Sequence, residues 1–287
     1  MKQRILELRQ IYRWGSEILA EAGVEDYELD AWYLLEYVTG ISKASYLADP
    51  NRLLTEEQVE LYESYVQKRA SRIPLQHITG EQEFMGYSFY VNEHVLIPRQ
   101  DTEVLVEEAL KLVRPGIRIL DMCTGSGCIL LSLLKMSRER YCLNTLSGVG
   151  ADVSEEALEV AEKNRERLGV DALFLQSDLF AQVEGTYDMI LSNPPYIRTS
   201  VIEGLQVEVR LHDPYIALDG KEDGLFFYRR IIQEGTSYLN PGGYLLFEIG
   251  HDQGEDVSDL MREAGYQHIT IKKDLAGLDR VVSGQKI

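Results

Sequence analysis

Arg118-Ile119-Leu120-Asp121-Met122-Cys123-Thr124-Gly125-Ser126-Gly127-Cys128-Ile129-Leu130-Leu131 passes from an apolar strand pattern through a glycine-bearing turn into an apolar helix pattern. A strand that ends in such a turn and feeds a helix opens a βα unit. Glycines there let backbone approach a ligand closely, although the spacing departs from the dinucleotide G-x-G-x-x-G and the loop alone is weak evidence of a nucleotide-like ligand. The alternation continues downstream. Gly148-Val149-Gly150-Ala151-Asp152 reads as a strand before a helix over 155–168, and Ala172-Leu173-Phe174-Leu175 as a strand before Asp178. The strand Tyr187-Asp188-Met189-Ile190-Leu191-Ser192 follows, then a long loop, a helix near 223–238 and the strand 243–249. Segments 268–274 and 280–283 supply two more strands. Strands alternating with helices predict an α/β fold, a mostly parallel sheet with helices on both faces.

Upstream the pattern differs. Residues 1–72 show apolar positions at three- and four-residue spacing, in Ile5, Leu8, Ile11 and Tyr12 and again in Ala31, Leu34, Leu35 and Val38, which predicts a helical module. Thr55-Glu56-Glu57-Gln58 has the form of a helix-start capping box. The module is rich in aromatics (Tyr12, Trp14, Tyr27, Trp32, Tyr33, Tyr37), a stripe that suits either a core or a partner surface. Residues 73–98, with Glu83-Phe84-Met85-Gly86-Tyr87-Ser88-Phe89-Tyr90-Val91 inside them, read as a β-hairpin linker to a catalytic domain over 99–287.

With 287 residues the chain has room for one large and one smaller domain. Charged residues make up 26%, and no apolar stretch nears the ~18 residues of a membrane span. The start, Met1 to Glu7, mixes charges into its apolar pattern and lacks a signal-peptide core, so a cytoplasmic location is expected. Three cysteines, Cys123, Cys128 and Cys142, lack zinc-finger histidine spacing, and neither a disulfide nor a metal is expected. A net charge of -18 with no basic run argues against nucleic-acid binding, which draws its affinity from Lys and Arg on phosphates. It favours basic partners instead, or simply solubility.

Candidate site residues gather at strand ends. Asn193-Pro194-Pro195-Tyr196 closes its strand with two fixed φ angles and two missing donors, leaving the Asn193 side-chain oxygen and the Pro194 carbonyl as acceptors beside an aromatic face. Such a turn could hold a planar NH2 group by both hydrogens, and an isolated N-P-P is equally a tight turn leaving a strand. Asp152, about 25 residues after the glycine loop, stands where an acid can accept two ribose hydroxyls. Asp178 is placed for an adenine edge, with Leu179 and Phe180 against the ring. Each acid alone also suits a helix cap. Together they suggest an adenosine-bearing methyl donor facing an amine.

The sequence closely resembles the protein-(glutamine amide) methyltransferases of peptide chain release factors, the HemK/PrmC family. The resemblance covers nearly the whole chain, through Asn193-Pro194-Pro195-Tyr196-Ile197, Pro74-Leu75-Gln76-His77-Ile78-Thr79-Gly80, Phe84-Met85-Gly86 and Leu96-Ile97-Pro98-Arg99. Asp213-Pro214-Tyr215-Ile216-Ala217-Leu218, Asp223-Gly224-Leu225, Pro241-Gly242-Gly243 and Glu248-Ile249-Gly250 extend it. It implies a class I S-adenosylmethionine-dependent methyltransferase with a Rossmann-like seven-stranded sheet and a small helical domain that docks the protein substrate. By the same resemblance Asp121, Cys123, Thr124, Gly125, Ser126, Gly127, Asp152, Asp178, Leu179, Asn193 and Leu96 hold S-adenosylmethionine, and Asn193, Pro194, Pro195 and Tyr196 clamp the glutamine of a Gly-Gly-Gln loop. The partner is then a release factor, with no direct nucleic-acid or membrane binding and a monomeric state expected. Methylation of a ribosomal-protein glutamine or of adenine N6 is the alternative, and Arg99 and Glu248 suit either the site or a structural salt bridge. The family usually has Gly at Cys123, Pro-Glu at Gln100-Asp101 and an aromatic at Leu179.

Overall fold

The computed structural model describes residues 7–287, so the helical position assigned to Ile5 lies outside the described residues. Contacts divide the chain into two units. One holds the described residues up to Gly80 together with Gln206–His212, and the other holds Glu81–Leu205 and Asp213–Ile287.

The first unit is helical: α1 (Leu8–Glu21), α2 (Tyr27–Thr39), α3 (Lys43–Ala48), α4 (Glu56–Ala70), α5 (Leu75–Thr79) and the short helix Val207–His212. The capping box forms as the sequence predicts, Gln58 N donating to Thr55 Oγ1 at 3.2 Å and Thr55 N to Gln58 Oε1 at 3.1 Å. The core takes Leu8, Ile11, Leu34, Leu35, Tyr62 and Val66, the apolar faces of α1, α2 and α4. The aromatic stripe divides. Trp32 is buried and Tyr12 and Trp14 pack against the core, while Tyr27, Tyr33 and Tyr37 face solvent. The sequence reading ends the helical module at 72, but Leu75 and Ile78 of α5 pack into this same core, which carries the unit on to Gly80.

Residues 206–212 join this unit through charge. Arg69 is nearly buried and bridges Asp30, at 2.6 Å, to Glu208, at 2.9 Å. Arg72 Nη2 approaches the other Glu208 oxygen at 2.7 Å. The chain thus leaves the second unit at Leu205, is held by two guanidiniums in the first, and returns at Asp213.

The second unit begins with the hairpin β1 (Glu81–Phe84) and β2 (Tyr87–Tyr90). Its two-residue turn, Met85 at φ 53° and Gly86 at φ 79°, has both residues in the left-handed region that tight hairpins require. The sheet strands are β3 (Arg118–Met122), β4 (Ser147–Asp152), β5 (Leu173–Gln176), β6 (Tyr187–Ser192), β7 (Leu239–Glu248), β8 (Gln267–Lys273) and β9 (Asp279–Gln285). Their order is β5-β4-β3-β6-β7-β9-β8, with the first five parallel and β9 antiparallel to both neighbours. Helices α6 (Glu103–Leu110), α7 (Cys128–Tyr141) and α8 (Glu155–Leu168) follow, with Phe226–Gly235 and Gly254–Glu263 later. Two apolar cores result. Ile119 packs with α6 and α7 in one, and Leu120 with Ile231 and Val257 in the other, as expected for successive residues of a strand covered on both faces.

Between β3 and β6 the strand order reverses direction. The outer ends of such a pair leave a crevice where the loops part, the usual ligand position in open α/β sheets. Both the glycine loop after β3 and the Asn193 turn after β6 lie there.

Candidate active site

Met122 pairs with Ser192, so Cys123 and Asn193 leave neighbouring strands side by side. The Ser192 hydroxyl ties the two strand ends by donating to the Met122 carbonyl at 2.7 Å. On the other flank Asp152 pairs with Gln176, which carries Asp152 and, just beyond β5, Asp178 to the same edge. This edge walls a cavity of about 370 Å³, within the range of small-molecule sites. Of the residues expected there, Leu96, Cys123, Thr124, Gly125, Ser126, Asp152, Asp178, Leu179, Asn193 and Pro195 line it.

Five expected residues do not reach the wall. Asp121 is fully buried beneath the loop, where its Oδ2 accepts from the Thr124 hydroxyl at 2.6 Å. Burial pushes its carboxyl up to about 7 against that bond. Gly127, at φ 77°, would place a Cβ only 3.1 Å from both Leu131 Cδ1 and Phe174 Cζ, so its bareness makes room for those side chains. Pro194 is buried, and the Tyr196 hydroxyl points away to Glu248 Oε1 at 3.4 Å. Phe180, expected against an adenine ring, stacks instead on Tyr238 in the core, with centroids 4.6 Å apart.

The acids differ in their commitments. Asp152 Oδ2 accepts from Gly125 N at 2.9 Å and Oδ1 from Ser154 N at 3.0 Å, leaving each oxygen a further lone pair. Burial raises its carboxyl's pKa and these backbone donors oppose the rise. Asp178 is exposed and paired with Arg230 at 3.0 Å. Arg99 lines the cavity and also donates to Asp213 at 2.8 Å. Burial pushes Asp213 up to about 6 despite that guanidinium. Glu248 does not line the cavity; burial pushes it up to about 7.

Cys123 stands at φ 61°, a conformation that favours glycine. Burial, then the neighbouring Asp152, pushes its thiol well above the ordinary range, which disfavours the thiolate. Gly125, at φ 53°, has open space where a Cβ would stand, and a ligand can lie against its backbone.

The cavity also draws on residues that sequence reasoning left out: Thr102, Ile129, Ile216, Lys221, Phe227 and Arg230. Thr102 follows the Ile97-Pro98-Arg99 segment and Ile216 belongs to the Asp213-Pro214 segment, so those motifs were a usable signal. Phe227 and Arg230 sit on a helix whose pattern reads as ordinary packing. Taken together, the wall offers acids at one end, aliphatic and aromatic side chains beside them, and an amide oxygen at the strand switch. That set could hold a ribose-bearing ligand next to a hydrogen-bond donor.

Residues 10–80 match the family model described as PrmC N-terminal domain, and residues 100–211 match that described as methyltransferase small domain. The release factor glutamine methyltransferase of Geobacter sulfurreducens is 40% identical over 285 residues, 99% of this chain and 98% of the relative. That of Caulobacter vibrioides is 39% identical, over 98% of this chain and 97% of the relative. Among solved structures, a methyltransferase from Pyrococcus furiosus aligns with TM-score 0.51 at 18% identity, over 69% of this chain and 88% of that one. The T. thermophilus 16S rRNA methyltransferase in complex with AdoMet and guanosine aligns with TM-score 0.51 at 17% identity, over 72% and 50%. At such identities these two likenesses establish the fold alone.

Proposed function

The chain belongs to the release factor glutamine methyltransferases, and from that premise we propose that its cavity holds S-adenosylmethionine beside Asn193-Pro194-Pro195-Tyr196, where a release-factor glutamine is held by its side-chain NH2. It is an enzyme that methylates the glutamine side-chain amide nitrogen of release factors. The observation that carries the site assignment is the register that sets Asn193 beside the glycine loop, with Asp152 and Asp178 along the same edge.

The residues suit the methyl donor. Asp152 has a free lone pair on each oxygen for a pair of ribose hydroxyls, and Asp178 has acceptor capacity beyond its bond to Arg230 for an adenine amine. Leu96, Leu179 and Phe227 supply apolar surface for the ring, an aliphatic Leu179 taking the place of the family's aromatic. Gly125 and Ser126 allow backbone contact with the amino-acid portion. Cys123 needs to contribute only its backbone.

When bound, S-adenosylmethionine supplies an electrophilic methyl group on sulfur. An amide nitrogen is a poor nucleophile because its lone pair is delocalised. Asn193 Oδ1 is the acceptor proposed for one of its hydrogens, and the Pro194 carbonyl, off the wall in this structure, for the other once substrate binding exposes it, fixing the amide so that the nitrogen faces the methyl. Orientation of this kind can lower a barrier by ~7–11 kcal/mol in favourable cases. Tyr196 supports the turn from behind, through Glu248, in place of stacking on the amide. The methylated nitrogen is acidic, and water suffices to take its proton. A Gly-Gly-Gln loop as the substrate segment, docking through the helical unit, and a cytoplasmic, monomeric enzyme complete the proposal.

Asn193→Ala should lower kcat by two to three orders of magnitude, about the loss expected when a positioning contact is removed. The dissociation constant for S-adenosylmethionine, measured by calorimetry, should change less than about threefold. Turnover at the wild-type rate would refute the clamp.

A further inference from the structure

Asn193 can hold a primary amide only with its oxygen toward the incoming NH2, because two donors set against each other make no bond. Resting on the glutamine clamp proposed above, we infer that Thr102 is a positioning residue: its hydroxyl takes Asn193 Nδ2 and fixes which end of that side chain meets the substrate, and Glu248 orients the hydroxyl in turn.

Asn193 Nδ2 donates to Thr102 Oγ1 at 3.4 Å, across 91 residues of sequence. Thr102 is 3% exposed and ends the single helical turn Gln100–Thr102 that leads into α6. A hydroxyl has one hydrogen and two lone pairs, whereas an amide nitrogen only donates. With a lone pair given to Nδ2, the Thr102 hydrogen requires an acceptor elsewhere.

Glu248, the last residue of β7 and 2% exposed, is the acceptor the inference assigns to it. The Thr102 hydroxyl favours its charged form against burial, and its buried Oε2 has no hydrogen-bond partner, which leaves that oxygen open to the Thr102 hydrogen. The same carboxylate accepts from the Tyr196 hydroxyl at 3.4 Å. One buried acid therefore bears on both ends of the turn, on Asn193 through Thr102 and on Tyr196 directly. A plain ion-pair role for Glu248 fits less well, since Arg280 is committed to Asp274 at 3.0 Å and Asp101 at 3.2 Å. The 3.4 Å bonds are long, as catalytic bonds often are before substrate closes the site. Amide orientation thus has a physical cause whenever Glu248 is ionised: a carboxylate, which only accepts, at one end of the relay forces the donor end of Asn193 toward Thr102.

The test is a double-mutant cycle. Thr102→Val keeps the size of the side chain and removes the hydroxyl. It should lower single-turnover kcat about 10- to 100-fold, with KM for the release factor and calorimetric affinity for S-adenosylmethionine within about twofold. Thr102→Ser should restore most of the rate, and in an Asn193→Ala background Thr102→Val should have no further effect. Glu248→Leu should reproduce the loss and Glu248→Gln, which keeps a carbonyl acceptor, should recover most of it. A wild-type kcat in Thr102→Val, or its full penalty persisting beside Asn193→Ala, would overturn the inference while a slow Asn193→Ala left the clamp standing. A fast Asn193→Ala would remove both.

Discussion

At the scale of single residues, backbone conformation explains what a change of type conceals. Cys123 occupies a left-handed backbone position directly after β3, where the family resemblance leads one to expect Gly. A non-glycine residue there stores strain of ~1–3 kcal/mol. Cys123→Gly should therefore leave stability within about 1 kcal/mol of wild type and leave methyl-donor affinity unchanged. Cys123→Val, β-branched at the same φ, should destabilise by roughly 1–3 kcal/mol in denaturant titrations. A valine variant as stable as wild type would show that the loop does not hold this conformation. Residue type alone pointed to Asp152 and Asn193, which line the cavity, because an acid and an Asn-Pro turn at strand ends are informative wherever the strands fall. It did not foresee that Asp121 and Gly127 lie off the cavity wall, because a loop has two sides and composition does not say which faces the cavity. Asp121 bonds Thr124 from inside the protein, and Gly127 makes room for Phe174.

At the scale of elements, the helix over 155–168 and the strand and helix on either side of the glycine loop follow from periodicity, since local pattern and tertiary burial agree there. The excursion through 206–212 does not. Nothing near Glu208 in sequence indicates that its partners are Arg69 and Arg72, the latter 136 residues away. Burial works against the charge of Glu208, but the two guanidiniums outweigh it and hold its carboxyl down to about 2 from an ordinary 4.5. A depressed acid stabilises the fold above its unfolded pKa, and that contribution fades as pH falls from about 4.5 toward 2. Wild type should therefore exceed Glu208→Gln in stability by about 1–2 kcal/mol at pH 7, allowing for screening at a partly exposed pair. The gap should narrow steadily below pH 4.5. Trp14 and Trp32 are the only tryptophans and both belong to this helical unit, so their fluorescence in urea reads its unfolding directly. A gap that stayed constant from pH 7 to pH 3 would mean that Glu208 owes nothing to its ionised state.

At the scale of the whole molecule, the cavity exists because strand order reverses between β3 and β6, bringing together loops that are 70 residues apart in sequence. Its acids were legible from the chain and much of its wall was not, because Phe227 and Arg230 reach it from a helix whose pattern encodes only packing. A net charge of -18 remains the global property that suits a basic protein partner better than nucleic acid. The central claim is that this edge methylates one glutamine amide of a release factor. It is tested most directly by incubating the enzyme with methyl-labelled S-adenosylmethionine and a release factor whose Gly-Gly-Gln glutamine is either intact or replaced by alanine. Label should enter the intact protein alone, on the side-chain nitrogen of that glutamine; label that persists after the replacement would contradict the account.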